Sequence, residues 1–210
     1  MDQRLFDDSF LKDGLELDEK HIQKIETVYS KINEVCSVLR DKMMQKWDRC
    51  LPLNELFGDR WKKARYLGFG DESSIYDSSL VIGDVKVGKN TWIGPFTILD
   101  GSGGLSIGDY CSISAGVYIY THDTVKWALS GGKAEYERSP VRIGNCCHIG
   151  SQAIIAKGVT IGDHCVIGAC SFANRDIPPY TIAAGAPCKS IGTVQADDDG
   201  RVQLKIEIDS

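Results

Sequence analysis

The stretch VRIGNCCHIGSQAIIAKGVTIGDHCVIG, Val141 to Gly168, carries a branched aliphatic at every sixth position: Ile143, Ile149, Ile155, Ile161 and Ile167. The same beat runs upstream through Phe69, Ile75, Val81, Val87, Ile93, Leu99 and Leu105. It slips by two residues beside DGSGG, Asp100–Gly104, and resumes at Ile107, Ile113 and Ile119. Glycine follows many of the markers, as at Gly88, Gly108, Gly144 and Gly162, and a slim side chain precedes many by two, as at Thr91, Cys111, Cys147 and Cys165. A period of six fits neither a helix of 3.6 nor a plain alternating strand. It fits a coil built from short flat faces, three of which close a triangular turn of about eighteen residues. The large aliphatic then points into the prism and the slim residue fills the corner beside it.

Composition sets the outer limits. A chain of 210 residues has room for one sizeable core with a small appendage. A net charge of -5 speaks against a general nucleic-acid binder. No apolar run is long enough to span a membrane. The opening MDQRLFDDSFLKDGLEL lacks the charged-then-apolar layout of an export signal, which gives a cytoplasmic expectation. The 8 cysteines are too dilute for a disulfide scaffold and form no C-x-x-C pair. Cys111, Cys147 and Cys165 fall on the slim inward column and read as small buried hydrophobes.

The flanks read differently. Residues 18–49 form one helix on the spacing of Ile22, Ile25, Tyr29, Ile32, Cys36, Leu39 and Met43, with Asp18 as its cap. That spacing leaves open a coiled-coil seam or simple packing on another surface. A short helix follows over 53–65, suited to plugging the open end of the prism. Its basic cluster Arg60, Lys62, Lys63 and Arg65 is either a solvated face or a phosphate contact. The end of the chain, with its DDDG turn and the alternation Val202, Leu204, Ile206, Ile208, reads as a hairpin or edge strand. The expected organisation is a helical segment at 1–68, coils at 69–192 with an inserted loop at about 121–142, and a hairpin or edge strand at 193–210.

Between Ile119 and Ile143 the pattern stops. A long irregular loop inside a regular solenoid is usually functional. It opens with YTHDT, Tyr120–Thr124. Imidazole titrates near neutrality, so His122 can take a proton from an attacking hydroxyl or amine and pass it to a leaving group. Such a base needs an acid on its other ring nitrogen. Asp123, Glu135, Glu137 and Asp100, one coil back, are the candidates, and residue spacing does not choose among them.

The repeat, the YTHDT segment and the ending IPPYTIAAGAPCKSIG, Ile177–Gly192, together resemble the hexapeptide-repeat acyltransferases of the sugar O-/N-acetyltransferase type. The resemblance covers residues 69–192. It implies a mainly β fold, a left-handed parallel β-helix, with His122 as general base. It implies acetyl-coenzyme A as cosubstrate and no metal. It also implies a homotrimer with active sites between subunits. By the same resemblance, Gly150, Ser151, Gly168 and Ala169 border the coenzyme A arm, and Arg175 and Lys189 meet its phosphates. Trp127 becomes a candidate acceptor contact, and His148 a candidate contact to the acceptor or to the coenzyme. His148 departs from the maltose and galactoside enzymes, where that coil often carries tryptophan, and this puts a simple-sugar acceptor in doubt. The acceptor expected is a sugar amine or hydroxyl, nucleotide-linked, in surface-polysaccharide (lipopolysaccharide) assembly. The alternatives are O-acetylation of a simple sugar or other small hydroxyl compound, a metal-dependent hydratase of carbonic-anhydrase type, and a non-catalytic β-helix scaffold. The hydratase needs two histidines five apart, and His21, His122, His148 and His164 offer no such pair.

Overall fold

The computed structural model describes residues 18–197 and 199–207. The opening segment read above for an export signal, and Ile208 of the terminal alternation, lie outside them. The chain divides into two compact units between Phe57 and Gly58. Among the described residues no helix is long and apolar enough to cross a membrane.

In the first unit the long helix spans Glu19–Trp47, and the Asp18 carboxylate accepts from the His21 N–H at 2.8 Å. That bond satisfies one of the amides a helix start leaves open. A second helix, Leu53–Phe57, packs against it. The sequence predicts one helix over 53–65, but there are two. Gly58 interrupts the run, and Asp59 starts the helix Arg60–Tyr66 by accepting from the Trp61 and Lys62 N–H groups.

The second unit begins with that helix, which packs on the first coil strand, Ser74–Ile75, and buries Ala64 in the core. Lys63 reaches the carbonyls of Tyr76, Asp77 and Ser79 at 2.8–3.0 Å. It therefore serves the first coil corner. Arg60 lies over the Trp61 and Tyr76 rings.

Three parallel ladders make the prism. In the first, Ile75 pairs with Ile93, then Ile113, Ile149, Ile167 and Ala183. In the second, Val81 pairs with Leu99, Ile119, Ile155 and Ala173. In the third, Val87 pairs with Ile107, Ile143 and Ile161, and Ile161 bridges Ile177. The regular step is eighteen residues, one coil; steps across the two-residue slip are twenty, and steps across the insertion are thirty-six. The aliphatic markers point inward and are buried, except Val81, which is partly buried at the edge of the core. Burying each isoleucine stabilises the coil by about 1.5–3 kcal/mol relative to exposure.

The slim column on the first ladder does more than fill space. Ser73 and Thr91 donate their hydroxyls to the Gly88 and Gly108 carbonyls at 2.7 and 2.9 Å. Cys111, Cys147 and Cys165 donate their thiols to Gly144, Gly162 and Pro178 at 3.0–3.1 Å. Each side chain satisfies a corner carbonyl that no strand reaches, so these cysteines are hydrogen-bond donors and not merely small hydrophobes. Cys147→Ser keeps a donor and is expected to leave the thermal midpoint almost unchanged. Cys147→Ala strands a buried carbonyl and is expected to lose about 1–3 kcal/mol in denaturant unfolding. Equal losses in the two variants would contradict this role. Corner glycines have a matching reason. A Cβ on Gly144 would lie 2.3 Å from Asp163 Oδ1, the oxygen that accepts the Asn145 N–H of the coil below.

The end of the chain turns back. Lys189–Ala196 pairs antiparallel with Thr181–Ala184, and Val202–Ile206 pairs antiparallel with it in turn. The hairpin thus starts before residue 193. It covers the last edge of the first ladder, where an open strand would invite another chain.

Candidate active site

The two departures from the six-residue beat meet in space. Gly83 pairs with Gly101 but Val85 pairs with Leu105, so two steps on one strand face four on the next. The extra residues bulge at Ser102 and Gly103. Gly103 is required there, because a Cβ would sit 2.5 Å from the Thr121 carbonyl oxygen. Its N–H donates to Thr121 Oγ1 at 2.8 Å. Thr121 is the last buried residue before the insertion, and His122 follows it.

Asp100 lies at the root of the bulge, with its side chain only 1% exposed. Its Oδ2 accepts the Thr121 N–H at 2.8 Å and lies 2.7 Å from His122 Nδ1. Its Oδ1 accepts the Ser102 N–H at 3.0 Å and a very short bond from the Ser102 hydroxyl. Burial alone would push this carboxyl up. The donors Ser102, Thr121 and His122 outweigh burial and hold it well below the usual carboxylate range.

An ionised carboxylate only accepts, so Nδ1 of His122 carries the proton shared with Asp100. Ser102 Oγ, 3.0 Å from Nδ1, gives its own proton to Asp100 and turns a lone pair toward the ring. Nε2 is left with its lone pair and no partner among the described residues, on a side chain 31% exposed. A fixed, outward-facing imidazole lone pair is what a general base requires.

The insertion returns as a small hairpin. His122–Asp123 pairs antiparallel with Glu137–Arg138, which sets Arg138 opposite His122 and Glu137 opposite Asp123. Between them a short helix, Val125–Leu129, carries Trp127, whose ring packs edge-on against Tyr136 at 5.7 Å. Asp123 accepts from Lys157 at 2.9 Å and from the Val125 N–H at 3.0 Å. Glu137 accepts from Lys157 at 2.7 Å and from Lys126. Glu135 is exposed. Of the four candidate acids, only Asp100 hydrogen-bonds His122; Asp123 and Glu137 face lysines. The sequence reading missed Ser102, Thr121 and Lys157. The phase slip at DGSGG was the available pointer to Ser102, since two added residues in a packed coil must protrude somewhere.

The remaining candidates lie elsewhere. His148 is exposed on the first ladder between Ser112 and Val166, a different face from the strand leading to His122. Gly150 and Gly168 have a packing role of their own: a Cβ would lie 2.5 Å from the Ala169 N and 2.8 Å from the Ala184 Cβ, respectively. Ser151 lines an open groove of about 470 Å³ with Phe96, Gly116, Tyr118, Gln152 and Ile154. A Cβ on Gly116, which has φ +68, would lie 3.4 Å from Gln152 Cγ at this groove. Ala169, Arg175 and Lys189 are exposed. Among the described residues no three His, Cys, Asp or Glu side chains gather as metal ligands.

Comparison with known proteins agrees with this architecture. Residues 140–174 match the family model "Bacterial transferase hexapeptide (six repeats)", and residues 84–121 match "Hexapeptide repeat of succinyl-transferase". Galactoside O-acetyltransferase of Escherichia coli (strain K12) is 32% identical over 132 residues, 53% of this chain and 65% of that protein. A probable acetyltransferase of Mycobacterium tuberculosis is 29% identical over 147 residues, 69% of this chain and 48% of that protein. The chain therefore spans between about half and two thirds of these relatives' lengths. A variant of AntD, an N-acyltransferase from Bacillus cereus solved with dTDP and coenzyme A, superposes with a TM-score of 0.55 and 26% identity. That match covers 60% of this chain and 72% of AntD. Hexapeptide-repeat matches thus lie on both sides of the interruption, on one triangular coil, and the proteins that this chain is similar to are acyltransferases.

Proposed function

We propose that this chain moves an acetyl or similar acyl group from coenzyme A to an amine or hydroxyl of a sugar, with His122 as general base. The observation that carries the reading is the His122–Asp100 pair, with no partner for Nε2 among the described residues, at the interruption of the coils. In the proposed step Nε2 takes the acceptor's proton as its nitrogen or oxygen attacks the thioester carbonyl. The new C–N or C–O bond forms, the C–S bond breaks, and the thiolate leaves with that proton. Asp100 holds the ring and stabilises the imidazolium that forms in between.

A nucleotide-linked sugar is the acceptor we favour, supported by the likeness to AntD, which was solved with dTDP. O-acetylation of a simple sugar is the second reading, supported by the likeness to galactoside O-acetyltransferase. For the coenzyme, Arg175 and Lys189 are exposed cations suited to its phosphates, and Ser151 borders the open groove. We also propose a cytoplasmic homotrimer with sites between subunits. The outward column of the second ladder supports it: Leu80, Ile98, Tyr118, Ile154 and Phe172 are apolar, while Lys86, Ser106, Arg142 and Thr160 occupy the third. The test is thiol release from acetyl-coenzyme A against amino-sugar nucleotides, neutral sugar nucleotides and plain galactosides. Turnover with one class identifies the acceptor. Silence with all of them over a range of acyl chain lengths would defeat the reading.

A further inference from the structure

The stem of the insertion contains an electrostatic conflict. Asp123 and Glu137 stand directly opposite each other in an antiparallel pair only two residues long on each side. Like charges placed so are destabilising, and so short a pairing has little stability of its own. Yet this stem carries His122 as its first residue. Something outside the hairpin has to hold it.

Lys157 occupies that position. It follows the coil strand Ile154–Ile155, and its Nζ lies 2.9 Å from Asp123 Oδ2 and 2.7 Å from Glu137 Oε2. One cation thus bridges both strands at the point where they repel. All three side chains are between a quarter and just over a third exposed, so water does not fully screen them. Lys126, within the insertion, pairs with Glu137 from the other side but does not tie the hairpin to the coil. Next to Lys157, Gly158 has φ +82 and its N–H donates to the Ser139 carbonyl at 3.2 Å. The Ser139 N–H donates in turn to the Thr121 carbonyl at 2.9 Å. The backbone closes the root of the insertion, and Lys157 fixes the next step outward.

We infer that Lys157 is a positioning residue that staples the two-stranded stem to the coil and thereby fixes the approach of an acceptor to His122. This rests on the reading of His122 as the base. The Asp123 and Glu137 carboxyls lie below their ordinary values, chiefly through hydrogen bonds from Lys157 and Lys126 respectively, so both charges persist at neutral pH and the conflict is real. Lys157 itself lies above its ordinary value, with the Glu137 hydrogen bond the main cause.

The experiment compares Lys157→Met, Lys157→Arg and the double variant Lys157→Met with Glu137→Gln. Lys157→Met leaves the two acids facing each other without the bridge. It is expected to lower kcat/KM for the acceptor about tenfold or more, with KM for acetyl-coenzyme A unchanged. Arginine keeps the bridge and should restore most of the loss. Removing Glu137's charge from the methionine variant should restore part of it, because the repulsion disappears. An additive further loss, or a methionine variant with wild-type kinetics, would overturn the staple. Limited trypsin digestion gives a readout independent of turnover: cleavage after Lys126 and Lys133 should quicken severalfold in Lys157→Met and return to the wild-type rate in Lys157→Arg. Unchanged cleavage overturns the staple even if no acceptor is found. Faster cleavage in a protein that acylates nothing supports the staple and removes only the function assigned to His122.

Discussion

His122→Asn is expected to lower kcat at least about a hundredfold, near the lower end of what a general base supplies. That factor corresponds to about 2.7 kcal/mol of barrier, at 1.36 kcal/mol per tenfold. Asparagine can still donate its amide to Asp100, so the buried carboxylate keeps a partner and the coil is not disturbed. It has no lone pair able to take a proton at neutral pH. The loss should therefore appear in kcat, with KM for acetyl-coenzyme A nearly unchanged, because the histidine acts on the acceptor's proton. Steady-state thiol release decides it. A variant that keeps a third or more of the wild-type rate removes His122 from the chemistry.

Asp100→Asn is expected to be as damaging to turnover, and it should also reduce stability. The carboxylate accepts from the Ser102 N–H and hydroxyl, the Thr121 N–H and the His122 ring. An amide offers one oxygen and turns two N–H groups toward those donors. At least one buried donor is then stranded, which costs about 1–3 kcal/mol. If the amide faces His122, it donates to Nδ1 and drives the ring proton to Nε2, the atom that must accept. In a histidine–aspartate pair of this kind the wrong tautomer lowers kcat by about 10⁴. The acid dependence carries a sign. Asp100's folded value is depressed, so its contribution to stability is complete above the unfolded carboxylate value of about 3.9 and fades as pH falls toward the folded value. The gap in thermal midpoint between wild type and Asp100→Asn should not shrink from pH 8 to pH 5 and should narrow only below about pH 4. A gap that closes between pH 5 and pH 7 would mean that Asp100 is not held as a carboxylate by these donors.

The six-residue beat was enough to specify the coil. Each face needs one large aliphatic inward, one slim residue beside it and a corner, and nothing else in the chain has to be known. Ile149 and Ile155 could be placed inside the prism from spacing alone, and both are fully buried. His122 could be singled out because it opens the stretch where the beat fails. Its acid could not. Asp100 lies twenty-two residues earlier, and Asp123, its sequence neighbour, points to Lys157 instead. Adjacent residues of a strand face opposite ways, while residues about one coil apart stack, so the coil's register decides which acid meets the ring. The bulge also belongs to the tertiary structure. Its two extra residues show in the sequence only as a slip, but packed against Thr121 they become the turn that brings Ser102 to Asp100 and His122. Lys157 was hidden for the same reason, because nothing local distinguishes a solvated lysine from one that meets two opposed acids. Sequence by itself determined the periodic features of this protein, since local packing repeats. Tertiary structure decided the pairing of charges, since charges meet across coils and not along the chain.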